Sequence, residues 1–261
     1  MNDNNNKSGK HITADNTAGN DNKDGRIIKE KKQNGRNHVK ALILGAMFTA
    51  LAYAAVVILH IKVSFLTFEF KDAIMTIGAM ICGPVYAVAM SVITSLIEMI
   101  TISDTGLYGF IMNVLASIAF TLPASLIYHY KRNIYGAIIG TFTSIFSMTA
   151  VMLIANLIVT PYYYHMEVAG VAQMIPTLLL PFNLTKAALN AGVVLLLYKP
   201  ISQTLKKARL DINEQSWNSA PAKAKFNVRT TVIATAIAVV LITASVIVFF
   251  AVLKGNVVFG H

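Results

Sequence analysis

Lys186 is the only lysine or arginine between Arg132 and Lys199, and it lies in the long apolar stretch PTLLLPFNLTKAALNAGVVLLLYKP, residues 176–200. Asn183 precedes it by three positions, so on a helix the two side chains share a face. A cation inside a membrane span costs roughly 2.5–3.5 kcal/mol on insertion scales. A ligand, an ion pair or a water-lined cavity has to offset that cost. Under that reading Asn183 and Lys186 form a polar clamp for a small molecule near the outer surface. The competing reading is a lysine that snorkels to the interface and binds nothing.

Other polar residues fall at a similar depth. Asn156 sits close to the outer end of the preceding apolar run, and Asn113 near the outer end of the run before that. An asparagine at such a position ordinarily bonds to another helix, worth about 0.6 kcal/mol; only its shared depth with the clamp makes Asn156 a ligand candidate. The segment IKVSFLTFEFKD, residues 61–72, sets Phe65, Phe68 and Phe70 around Glu69. It reads as a lid over a flat ligand or as an interfacial anchor. The segment 161–176 brings three tyrosines, Glu167 and His165 over the same mouth, with His165 as a loop histidine.

Several chemistries are excluded. No GxxxxGK[ST] phosphate loop occurs, nor HExxH, GxSxG or CxxC, so neither ATP hydrolysis nor the common hydrolase and metal sites are encoded. Glu69, Asp72, Glu98 and Asp104 are expected at outer edges of the spans rather than at mid-membrane, which argues against a self-powered proton-coupled carrier. Cys82 is the single cysteine and reads as a packing residue.

These residues need a membrane scaffold to position them. The chain is 55% hydrophobic and 13% charged, against about 25% charged in soluble domains. The net charge of +10 comes from basic residues crowded into the first forty positions, at 131–132 and over 199–229. That distribution fits cytoplasmic flanks of membrane spans and not a nucleic-acid-binding face. The expected fold is an all-α integral membrane protein, a six-helix bundle plus one additional C-terminal transmembrane helix. Residues 1–38 form a disordered polar cytoplasmic tail. The six-span domain covers 39–209, a polar linker 210–228, and the seventh helix with a short tail 229–261. Spans are expected over about 39–59, 66–82, 84–100, 108–130, 135–159 with a break at Pro161, and 176–200. Gly83-Pro84 makes a tight cytoplasmic turn between the second and third. Ala52-Tyr53-Ala54 resembles a cleavage site, but the basic leader is too long for a signal peptide, so the first span stays as an anchor. Its stripe of Ala46, Ala50 and Ala54 allows close approach of another helix.

The runs FLTFEFKDAIMTIGAMICGP, GLYGFIMNVLAS, MTAVMLIANLIVTPYY and MIPTLLLPFNLTKAALNAGVVLLLYK together resemble the substrate-binding S components of energy-coupling factor (ECF) transporters, of the riboflavin-specific type, over about residues 40–209. The resemblance implies a substrate-capture subunit of a bacterial cell-membrane importer, not an enzyme. It would take riboflavin from the extracellular side, with no cofactor. Its partners would be a transmembrane coupling subunit and two cytoplasmic ATPase subunits, with no nucleic acid. Asn183, Lys186 and Asn156 match the family's vitamin-binding positions, and Leu66, Thr67, Phe68 and Glu69 its capping loop. Ala46, Ala50 and Ala54 match its docking face. The run TFEFKDA departs from the Leu-Asp-Phe-Ser-Asp-like run of many relatives, and the seventh helix lies outside the usual unit. It would carry the C-terminus outside. Alternatives are an S component for another vitamin or flavin, a non-transporting membrane scaffold or sensor, and a lipid-directed enzyme.

Overall fold

The computed structural model describes residues 35, 37–59, 61–63, 66–207, 228–252 and 257–259. Almost all of the expected tail 1–38 and linker 210–228 lies outside the described residues, as does Phe65. Residues up to Leu42 cluster apart from Ile43–His261, and the site lies within the second unit.

Six helices among the described residues are long and apolar enough to cross a membrane. Helix α1 runs Asn37–Ile58. Helices α3 (Pro84–Thr101), α4 (Gly106–Tyr130) and α5 (Ile134–Tyr164) follow. A short helix α6 (Val168–Met174) leads through one wide π turn, Ile175–Leu179, into α7 (Leu180–Lys207). Helix α8 spans Val228–Val252. Their outward faces carry exposed large apolar residues such as Ile100, Phe146 and Ile247, as a lipid-facing surface requires.

The expected second span, 66–82, is not one helix. Leu66–Phe68 is a strand, and helix α2 covers only Lys71–Cys82. Twelve residues make about 18 Å of helix, well short of the roughly 30 Å hydrocarbon core. Helix α2 is instead buried among the others, with Lys71, Asp72, Ala73 and Met75 all inaccessible. Its end is set by Gly83, whose φ of 115° is open to glycine alone, and by Pro84 at the first turn of α3. The expected break at Gly83-Pro84 is therefore present.

Two other boundaries differ from expectation. Helix α5 passes through Pro161 and stops at His165, the left-handed capping residue (φ 52°), whose N–H bonds to the Pro161 carbonyl. A proline removes one donor but leaves its own carbonyl free to cap. The segment 161–176 is thus largely helical. Helix α7 likewise continues past Pro200 to Lys207. The π turn lies beside Pro176 and Pro181, neither of which has an N–H to give to a regular ladder.

Without a hydrophobic force between helices in lipid, close backbone approach and polar contacts hold such bundles. A Cβ on Gly140 of α5 would lie 2.9 Å from the Ala124 carbonyl oxygen of α4, and one on Gly192 of α7 would lie 2.6 Å from Ile242 of α8. Buried hydroxyls of Ser91, Thr141 and Ser144 bond to carbonyls four residues back.

A small antiparallel sheet is added at one end. Strand β1 (Ile61–Val63) lies between β2 (Leu66–Phe68) and β3 (Val257–Phe259). In register, Ile61 is the backbone partner of Phe68 on one side and of Phe259 on the other.

Candidate functional site

Strand β2 and helices α3, α4, α5 and α7 enclose a cavity of about 310 Å3. That volume falls in the range of small-molecule sites, roughly 300–1,000 Å3. Six of the seven ligand-contact residues expected from the sequence line it: Leu66, Thr67, Glu69, Asn156, Asn183 and Lys186. Phe68 does not. It is buried behind the cavity, its ring centroid 4.5 Å from that of Phe182. A surface anchor is ruled out for it.

Lys186 does not snorkel. It is 6% exposed, donates to the Thr67 carbonyl at 2.9 Å and lies 3.6 Å from a Glu69 carboxylate oxygen. Glu69 in turn lies 2.9 Å from the Lys71 ammonium, which also pairs with Glu98. Asn113 donates to the same Glu98 oxygen at 2.9 Å. A chain of alternating charge therefore runs Lys186, Glu69, Lys71, Glu98 from α7 through the capping segment and α2 to α3. Ion pairs buried this deeply hold together only when further hydrogen bonds satisfy the charges.

Three of the four acidic residues expected at outer edges of the spans are shielded from solvent. Glu69, Asp72 and Glu98 are all buried. Asp72 accepts from Ser117 of α4 at 2.6 Å. The second oxygen of Glu98 is buried with no hydrogen-bond partner, and Glu98 lines the cavity. A buried acceptor of that kind calls for a donor.

The two asparagine amides are partly committed. Asn156 donates to the Met152 carbonyl at 2.7 Å and accepts from Thr160 at 3.0 Å. Asn183 donates to the Leu179 carbonyl at 2.8 Å. Each amide carries a second N–H. Asn190, one turn beyond Lys186, ties the clamp helix to the cap. It donates to the Glu69 carbonyl at 2.9 Å and accepts from the Ala73 amide at 2.9 Å.

Sequence reasoning missed Lys71, Glu98, Asn113 and Asn190 as parts of this assembly. Asn190 was findable, since Asn183, Lys186 and Asn190 fall three and four residues apart on one helical face. Lys71 and Glu98 had no such signal, because their partners come from other elements. Of the tyrosines, Tyr163 and Tyr164 line the cavity while Tyr162 is exposed. His165 is an exposed loop residue, as expected. Ala46, Ala50 and Ala54 form an exposed stripe on α1, beside exposed Met47 and Leu51.

The fold and cavity define a polytopic, all-helical membrane protein with a ligand-sized internal space. Residues 40–198 match the family described as the ECF transporter, substrate-specific component. The match covers more than half of the chain, and the protein belongs to that family. It is similar to the riboflavin transporter RibU of Staphylococcus aureus (strain TCH60), 28% identical over 178 residues, which are 64% of this chain and 93% of that protein. It is also similar to the solved structure of the S component of a bacterial ECF transporter. That comparison gives a TM-score of 0.56 at 29% identity, over 65% of this chain and 99% of the other. The chain is thus an S component with the S-component fold, a transporter subunit and not an enzyme. Such subunits work with a coupling subunit and ATPases.

Proposed function

We propose that this S component captures riboflavin in the cavity capped by β2 and presents it for import. The observation that carries the reading is the charge balance of the cavity wall. Lys186, Glu69 and Glu98 line the cavity, and Lys71, buried behind the lining, pairs with both carboxylates. Such a wall is suited to a neutral ligand rich in hydrogen-bonding groups and offers no free cation for a phosphate. Riboflavin is neutral, and its flat ring carries an edge of alternating carbonyl and N–H groups. The amides of Asn156 and Asn183 present donors and acceptors side by side to such an edge. Tyr163 and Tyr164 supply aromatic surface. The 28% identity to a protein named as a riboflavin transporter supports the same ligand.

In this reading Leu66, Thr67 and Glu69 contact the vitamin from the cap, and Phe68 fixes the cap from behind. The basic clusters at Lys131-Arg132 and beyond Lys199 face the cytoplasm, which turns the cavity mouth outward. The exposed Ala46, Ala50 and Ala54 stripe docks on the coupling subunit.

Titration of purified protein with riboflavin, followed by quenching of flavin fluorescence, tests the ligand. Saturation at an equimolar ratio is expected. Absence of quenching at micromolar protein would remove riboflavin from consideration.

A further inference from the structure

The region matched to the family ends at residue 198, yet α8, which lies beyond it, contacts the cap of the cavity, and β3 pairs with the strand beside the cap. We propose that α8 and β3 form a strap that holds the capping segment over the cavity, with Phe249 as its positioning residue. The inference rests on the ligand-binding role given to the cap above.

Three contacts carry it. First, α8 is seated on the clamp helix itself: Gly192 of α7 leaves room for Ile242 and for the Ala238 carbonyl, so the two backbones approach closely. Second, the Phe249 ring meets Phe68 edge-on with centroids 5.0 Å apart, and packs on the buried cluster of Leu66, Phe68, Leu179 and Phe182. Two members of that cluster belong to the cap, and Phe182 adjoins Asn183. Third, β3 pairs with β1 along the edge opposite β2. The cap is therefore held directly through Phe68 by Phe249, and backed by β1, whose other edge pairs with β3. Thr67, whose carbonyl Lys186 holds, sits next to Phe68 in the same strand. A shift of Phe68 shifts the cavity wall.

Loss of an edge-on aromatic contact corresponds to roughly a two- to tenfold change in an equilibrium. Phe249→Ala in the full chain is expected to raise hydrogen exchange of the backbone amides of residues 61–70 by about that factor, without ligand, while α3 and α4 keep wild-type exchange. Riboflavin dissociation should accelerate by a similar factor. Phe249→Tyr, which keeps the ring, should restore both rates. Ile247→Ala should leave both at wild type, because Ile247 is 66% exposed on the outward face of the same helix. Wild-type exchange of residues 61–70 in Phe249→Ala would overturn the strap, as would an equal effect of Ile247→Ala. If wild-type protein fails to bind riboflavin, the ligand reading falls alone and the exchange measurement still decides the strap.

Discussion

The Lys186 ammonium donates to the Thr67 carbonyl at 2.9 Å, across 119 residues of sequence. A buried cation on the last helix of the matched region is thereby tied to the main chain of the strand that caps the cavity. The same ammonium faces Glu69 two residues further on. The cation that looked costly in the sequence is neutralised by the very segment it helps to hold.

Replacing Lys186 by alanine should therefore cut riboflavin affinity by at least about tenfold, the equivalent of 1.4 kcal/mol. The variant should remain folded, because Glu69 keeps Lys71 at 2.9 Å and is not left as an isolated buried charge. Fluorescence quenching and thermal unfolding of the same sample check both halves. Undiminished affinity would take Lys186 out of the site.

Lys71 and Glu98 should be coupled energetically. Lys71→Met leaves Glu98 with Asn113 alone, and Glu98→Gln leaves Lys71 with Glu69. Each single change strands part of a buried charge, and the double change removes both. The double variant should be more stable than the sum of the singles predicts, by roughly 0.5–3 kcal/mol. Additive losses in a denaturation series would mean that the pair acts independently.

Much of this fold was legible because membrane spans announce themselves. Length and apolar composition marked the long helices, and Gly83-Pro84 marked the turn between α2 and α3. What was not legible depended on contacts between distant elements. A twelve-residue helix with Lys71 and Asp72 in its first turn reads as part of a longer span from Leu66, because its buried partners Glu69, Glu98 and Ser117 come from other elements. Pro161 reads as a break, yet α5 continues through it to Tyr164. The clamp was visible because Asn183 and Lys186 share one helix face, whereas Glu98 faces its partners across helices. The small sheet had no local signal, since its third strand lies nearly two hundred residues from the first.

Gly140 should not tolerate a branched side chain. Its Cβ would sit 2.9 Å from the Ala124 backbone oxygen, which cannot rotate away as a side chain could. Gly140→Val should separate α4 from α5 and cost roughly 1–3 kcal/mol. A melting temperature equal to wild type in detergent would contradict the close approach of these helices.

Ala50→Leu and Ala54→Leu should spare vitamin binding and abolish uptake. Both positions lie on an exposed face of α1, away from the lining of the cavity. A leucine there alters no cavity contact but prevents a second helix from approaching closely. Binding by purified protein and uptake by cells carrying the complete transporter separate the two effects. Wild-type uptake would exclude this stripe as the docking face.

Flavin mononucleotide should bind at least about tenfold more weakly than riboflavin. The two share a ring and differ by a phosphate, so the difference reads the electrostatics of the wall directly. Lys186 and Lys71 are engaged by Glu69 and Glu98, and a phosphate would have to compete with those carboxylates or sit beside them. Asp104 at the cavity wall adds further negative charge. Neutralising Glu98 with Glu98→Gln should narrow the gap between the two ligands, because it lowers the repulsion felt by the phosphate while the ring contacts stay in place. Equal affinities for the two flavins in the wild type would show that the phosphate lies in solvent beyond the mouth, outside the reach of the paired wall.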